Sequence, residues 1–218
     1  MNGEVSNASS KPCPFCLKFG DAKGPFDQRK WYDRPVFETE MFVAVPALGQ
    51  LVAGYLLLIP REHIFSMAQL PLDRLQLLEW FRNHAGDALE DRWGRPILFE
   101  HGACSDNQPA GACVAHAHWH IVPGDFDLLF PTQSFRSVRS FKEFAEKTRG
   151  VEPYLYFEDQ AGCGYILDES NPPSQFFRRR LAIAIGRPGA WDYAAFPFFE
   201  NIRETYDYLG PLSLRSPS

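Results

Sequence analysis

At 218 residues, with 45% hydrophobic and 22% charged side chains, the chain has the composition of a soluble globular protein able to bury a core. A formal charge of −5 offers no basic surface for general nucleic-acid binding, and no apolar run approaches the roughly 20 residues that span a bilayer. Five cysteines, an odd count, point to reduced thiols rather than a disulfide framework. With no signal-like apolar core near the start, a cytoplasmic protein is expected.

Residues 1–12 are rich in Ser, Asn and Lys and predict a disordered N-terminus. Cys13-Pro14-Phe15-Cys16 follows. Two thiolates at this spacing reach one zinc ion from a tight turn. A redox dithiol shares the spacing but normally opens a helix, and residues 17–30 read as loop, so zinc is favoured and two ligands are still needed. Val36-Phe37-Glu38 and the run from Met41 to Val45 read as strands around a Thr39-Glu40 turn. Tyr55-Leu56-Leu57-Leu58-Ile59, ended by Pro60, reads as a strand buried on both faces, with His63 just past it.

Leu72, Leu75, Leu78, Phe81, Ala85 and Leu89 recur at three and four and predict a helix over 71–92, with His84 structural or solvent-facing. Residues 97–100 begin the next strand, which His101-Gly102 ends. The loop 103–111 then holds Ser105 and Asn107, side chains that with nearby backbone N–H groups suit an anion.

That loop leads into Cys113-Val-Ala-His-Ala-His-Trp-His-Ile-Val-Pro123, which carries three of the six histidines in strict alternation. Period 2 predicts a strand with His116, His118 and His120 on one face and Ala117, Trp119 and Ile121 packed behind. Such a row offers a nucleophile with positioning neighbours, or metal ligands. Beyond it the patterns predict a helix over 135–149, a hairpin of 154–157 with 164–167, and helices over 174–185 and 198–209. Ser174 is a candidate cap, and Arg178, Arg179 and Arg180 form a cluster. Residues 13–125 are read as one domain, 126–210 as an α/β extension packed on it, and 211–218 as a disordered tail. The fold class is α+β, a mainly antiparallel sheet with packed helices.

The His116-to-Val122 segment resembles the H-x-H-x-H-x-x signature of the histidine triad (HIT) superfamily. Residues 55–63 resemble that family's strand-I-P-K-x-H segment, residues 110–114 the stretch before its triad, and Cys13 to Cys16 the CxxC of its zinc-containing members. Phe99-Glu-His-Gly102, Gln175-Phe-Phe-Arg-Arg179 and Trp191-Asp192 resemble a subgroup with an extended C-terminal region. The resemblance implies a structural Zn2+ held by Cys13, Cys16, His63 and His116. It implies His118 as the nucleophile at the α-phosphorus of a nucleotide or nucleotide conjugate, through a nucleotidyl-histidine intermediate. His120 would orient it, and a histidine at that third position fits hydrolysis better than transfer.

Two positions depart from the family pattern. Ala112 stands where a glutamine is expected, and Ala47 or its neighbour where a ribose-binding acid or amide is expected. His101, Ser105, Asn107, Gln175 and Arg178 are the candidates to take over substrate contacts. Family members often dimerise, so a homodimer is a further expectation. The alternatives are a low-turnover nucleotide-binding or regulatory protein on the same scaffold, and a metalloenzyme using all three triad histidines. The row of three would spread over roughly 13 Å at about 3.3 Å per residue, which argues against the last.

Overall fold

The computed structural model describes residues 12–20, 30–103, 114–128, 134–150, 153–168, 172–210 and, for backbone only, 212–213. Its strands are β1 (Phe37–Glu38), β2 (Phe42–Pro46), β3 (Leu56–Pro60), β4 (Pro96–Gly102), β5 (Trp119–Pro123), β6 (Ser134–Val138), β7 (Tyr154–Glu158), β8 (Gly164–Asp168) and β9 (Leu212–Ser213). Its helices are α1 (Pro14–Phe19), α2 (Leu72–Trp93), α3 (Phe141–Thr148), α4 (Phe176–Ala184) and α5 (Phe199–Leu209). The strands form one nine-stranded sheet in the order β6-β8-β7-β4-β5-β3-β2-β1-β9. Every neighbouring pair is antiparallel except β1 with β9. The fold is α+β and HIT-like, and the C-terminal strands extend the same sheet through β7 against β4.

Alternation along the central strands sorts side chains into two layers. Leu98, Ala117, Trp119 and Ile121 join Leu56 and Leu58 in a core with Leu78 and Phe81 of α2 and Phe141 and Phe144 of α3. Phe99, Val122 and Tyr55 point to the other face, where Phe176, Phe177 and Leu181 of α4 pack. A smaller cluster seats Phe19 of α1 on Val43, Val45 and Ile59. The predicted spacing of α2 holds from Leu75 on: Leu75, Leu78, Phe81, Ala85 and Leu89 are buried, whereas Leu72, at the first position of the helix, is exposed. His84 is exposed and stacks on Trp80.

Several local expectations are corrected. Residues 135–149 are not one helix. Ser134–Val138 pairs with β8 as an edge strand, and α3 starts only at Phe141. There the Ser140 hydroxyl accepts from the Glu143 N–H at 3.1 Å and the Glu143 carboxylate accepts from the Arg139 N–H at 2.7 Å, a reciprocal cap. Gln175, not Ser174, occupies the N-cap position of α4, in a left-handed conformation and without a side-chain capping bond. Residues 17–19 are helical rather than loop, because Pro14 suits a first helical position and the Leu17 N–H reaches the Cys13 carbonyl at 3.1 Å. Leu212–Ser213, within the expected tail, pairs in parallel with β1. Residues 1–11, most of the 103–111 loop, and 214–218 lie outside the described residues. Among the described residues no helix is long and apolar enough to cross a membrane.

Candidate functional site

The strand that carries the histidines begins at Trp119, so of the three only His120 lies within it; His116 and His118 sit on the segment that leads in. The difference matters, because an approach that bends at 114–116, outside the sheet ladder, lets the three rings take separate neighbours. His116 turns to the N-terminal cysteines, His118 to the open cleft, and His120 into the layer under α4.

Cys13, Cys16, His63 and His116 each offer a ligand atom, and these atoms all lie within 4.8 Å of one another. Cys13 Sγ and Cys16 Sγ are 3.4 and 3.5 Å from His116 Nδ1, and Cys16 Sγ is 3.1 Å from His63 Nδ1. A tetrahedral zinc with bonds of about 2.3 Å to sulfur and about 2.0 Å to nitrogen spaces its ligand atoms roughly 3.5 Å apart. The donor set therefore fits the ion in number, type and spacing. The second shell fits as well: His116 Nε2 donates to the Pro60 carbonyl at 2.8 Å, which leaves Nδ1 bare and aimed at the sulfurs. Burial pushes His116 down to about 4, so the ring is neutral and can ligate. Burial, and then the adjacent Cys13 thiol, push Cys16 up to about 11, a cost that a bound cation reverses. His118 and His120 are not part of this cluster, which removes the reading in which all three histidines hold one metal.

His118 Nδ1 donates to the His116 backbone carbonyl at 2.7 Å. That bond fixes the tautomer and leaves Nε2 with its lone pair. Burial lowers the His118 pKa against the pull of this hydrogen bond, so the ring is neutral near pH 7. Phe15, from the CxxC turn, stands edge-on to His118 at 5.4 Å and to His116 at 5.7 Å. The metal turn thus also supplies packing for the middle histidine.

His120 is sandwiched more tightly. Its ring stacks on Phe99 at 4.5 Å, and its Nδ1 lies 2.6 Å from the Tyr55 hydroxyl. Burial pushes the Tyr55 phenol up to about 12, so it keeps its proton. Burial, and then His118, His101 and Arg178, keep His120 well below its ordinary value. With both groups neutral, a Tyr55 O–H donating to Nδ1 leaves the His120 proton on Nε2, where it serves as a donor. The His118 and His120 ring centroids are 4.8 Å apart.

A cleft opens over these rings, lined by Phe15, Leu57, Ala47, His101, His118, His120, Gln175, Arg178 and Tyr193 among others. His101, Gln175 and Arg178, all named from sequence, are thus brought together; Ser105 and Asn107 lie outside the described residues. Sequence reasoning missed Tyr55, Phe15, Tyr193 and the Lys18–Asp33 ion pair at 2.8 Å, whose two residues also line the cleft. Tyr55 had a readable signal: a tyrosine opening an aliphatic strand brings a hydroxyl that must find a partner once buried. Lys18 on α1, Asp33 at the end of a short 3-10 helix and Tyr193 in a turn come from separate elements and had none.

Glu100 and His101 show how alternation divides a motif. Glu100 is fully buried on the opposite face, where it accepts from Met67 N–H at 2.8 Å, Trp119 Nε1 at 3.1 Å and Tyr154 Oη at 2.7 Å. It braces the sheet from behind. His101 faces the cleft, against Phe177 at 5.1 Å.

No curated protein matches the chain. Solved structures similar to it include a HIT family protein from Bacillus anthracis str. 'Ames Ancestor', 20% identical over 53% of this chain and 75% of that one, TM-score 0.42. A Zn-bound histidine triad family protein from Mycobacterium smegmatis is 18% identical over 64% and 91%, TM-score 0.41. A HIT family hydrolase from Clostridium thermocellum is 23% identical over 54% and 94%, TM-score 0.37. The family model described as "HIT domain" matches residues 28–127, a span that holds His63 and all three triad histidines. Residues 28–127, a little under half of the chain, thus match the histidine triad (HIT) domain.

Proposed function

We propose that the protein is a nucleotide phosphohydrolase or nucleotidyl transferase in which His118 Nε2 attacks the α-phosphorus of a nucleoside phosphate derivative. The observation that carries this reading is the 2.7 Å bond from His118 Nδ1 to the His116 carbonyl, which turns a bare, neutral Nε2 toward the cleft. The N–P bond forms as the bond from phosphorus to the leaving group breaks, and the leaving group departs with the electron pair. The imidazolium that results keeps its Nδ1 proton on the carbonyl. Water or another acceptor then attacks phosphorus, releases the nucleotide and restores neutral His118, its own proton passing to solvent. The His120 Nε2 proton is placed to steady a non-bridging oxygen of the phosphoryl group as negative charge builds there.

Cys13, Cys16, His63 and His116 would hold zinc with no position left open. Bound there, the ion supplies a cross-link between the N-terminal turn and the sheet. No chemical step uses it; Phe15 and the His116 backbone carry its effect to His118.

A panel of adenylyl and guanylyl substrates, assayed with wild type and His118→Ala, tests the reading. Loss of at least about 10³-fold in kcat/KM on every cleaved substrate is expected. Full activity of His118→Ala on any of them would refute it.

A further inference from the structure

Arg178 is only 4% exposed, yet among the described residues it forms no ion pair with a carboxylate. Its Nε donates to the Gln175 side-chain oxygen at 3.1 Å and to the Trp191 carbonyl at 3.0 Å, and its Nη2 donates to the Gly49 carbonyl at 2.7 Å. All three acceptors are neutral, and so is the Tyr55 phenol that the guanidinium also meets. Burying a guanidinium without an anion is costly, and an anion arriving from outside would offset that cost. The cleft itself supplies none: its acidic side chain, Asp33, is already paired with Lys18 at 2.8 Å.

The guanidinium is also held in place by unusual means. Gln175, which fixes its Nε, has φ 58° at the start of α4, a left-handed conformation that a non-glycine residue adopts only when its surroundings impose it. Gly49 has φ +72°, and a Cβ there would sit 2.8 Å from Arg178 Nη2 and 2.6 Å from the Tyr193 backbone. The loop between β2 and β3 can close on the guanidinium only because residue 49 is glycine. Arg178 further stands 5.6 Å over the Tyr55 ring, and Tyr55 bonds His120. The cation is therefore one side chain away from the triad. A second feature of the same cleft points to a ligand independently. His101 is 7% exposed, lines the cleft, and its buried Nε2 has no hydrogen-bond partner among the described residues.

We propose that the Arg178 end of the cleft is a second anion subsite, and that the ligand carries a phosphate there in addition to the phosphoryl group presented to His118. The proposal rests on reading the cleft as a nucleotide site and narrows the substrate class: a nucleoside phosphoramidate with an uncharged amine leaving group does not fill the subsite. Two sources of the second phosphate share this chemistry. One is a phosphate on the ribose of the same nucleotide. The other is the distal phosphate of a polyphosphate leaving group. Arg178 holds it with the planar fork of its guanidinium, a geometry that lysine cannot reproduce.

The test is equilibrium binding by titration calorimetry with full-length, metal-loaded protein in the His118→Asn background, where turnover does not blur the measurement. The probes are a nucleoside 5′-monophosphate, the matching 3′,5′-bisphosphate, and the matching dinucleoside polyphosphate. At least one of the two probes with an additional phosphate should bind roughly tenfold to a hundredfold tighter than the monophosphate. Arg178→Gln should collapse that ratio to near one, Arg178→Lys should recover only part of it, and the monophosphate should change less than about threefold. The probe whose advantage collapses identifies the source of the second phosphate. A ratio near one for both probes in the Arg178-containing protein overturns the proposal whether or not Arg178→Gln folds, as does a ratio that survives Arg178→Gln. Binding is read without chemistry, so failure of the His118 reaction and failure of the anion subsite give different results.

Discussion

His118 hangs from the backbone of His116: its Nδ1 proton is held by the His116 carbonyl at 2.7 Å, while the His116 ring faces Cys13 and Cys16. One residue therefore turns a candidate metal-ligating side chain to the cysteines and sets the tautomer of the proposed nucleophile with its main chain. This coupling explains why alternate histidines in one short segment can have unlike roles.

The metal site is the first place to test that coupling. Wild-type protein purified without added chelator should contain one zinc per chain by plasma mass spectrometry. Cys13→Ser/Cys16→Ser should contain none, and chelation should lower Tm by roughly 5–10 °C. Stoichiometric metal retained in the double variant would mean that the ligand set is wrong.

Tyr55→Phe removes the hydroxyl 2.6 Å from His120 Nδ1 and nothing else. The His120 ring then loses the bond that directs its Nε2 proton to the cleft. A fall in kcat of about tenfold to a hundredfold with KM within about threefold is expected from steady-state kinetics. An equal loss in a Phe99→Leu variant that keeps the hydroxyl would assign the effect to ring packing instead.

Glu100→Ala strips at least three donors, Met67 N–H, Trp119 Nε1 and Tyr154 Oη, of a shared acceptor in the core behind the site. The expected cost is about 3–5 kcal/mol by urea denaturation, with a far smaller effect for Glu100→Gln. A loss under about 1 kcal/mol for the alanine variant would show that the carboxyl group is not a brace.

These residues also mark what could be read from the chain. The strict alternation around Trp119 and the CxxC with His63 declared the site's centre, because period-2 patterning and metal-ligand spacing are local signals. The strand at Ser134–Val138 was missed because only its partner β8 makes it a strand; its own residues, apart from Val138, are exposed. The left-handed Gln175, the Gly49 contact with Arg178, and the entry of Lys18, Asp33 and Tyr193 into the cleft are all tertiary consequences. No window of sequence contains both partners of any of them.

Acid stability follows from the neutral buried histidines. Burial pushes His101 down to about 3 from an ordinary 6.5, so between those values the unfolded chain binds a proton that the folded chain does not. Stability is then fully present above about pH 6.5 and is lost as the pH falls toward about 3, by roughly 1.4 kcal/mol per pH unit for this one group. His101→Phe should make the dependence of unfolding free energy on pH shallower by about that slope between pH 4 and 6. Parallel curves for the two proteins would contradict the burial of a neutral imidazole. Taking the difference between the two proteins cancels the effect of acid on the metal ligands, which both share.

The central claim is the identity of the nucleophile. Rapid quenching of wild-type protein with a cleaved nucleotide, followed by intact-mass and peptide-mapping mass spectrometry, measures it directly. The account predicts an acid-labile increment of one nucleotidyl group per chain, located on His118 and absent from His118→Ala. An adduct on any other residue, or turnover that accumulates no adduct on His118 when the acceptor step is slowed, would contradict it.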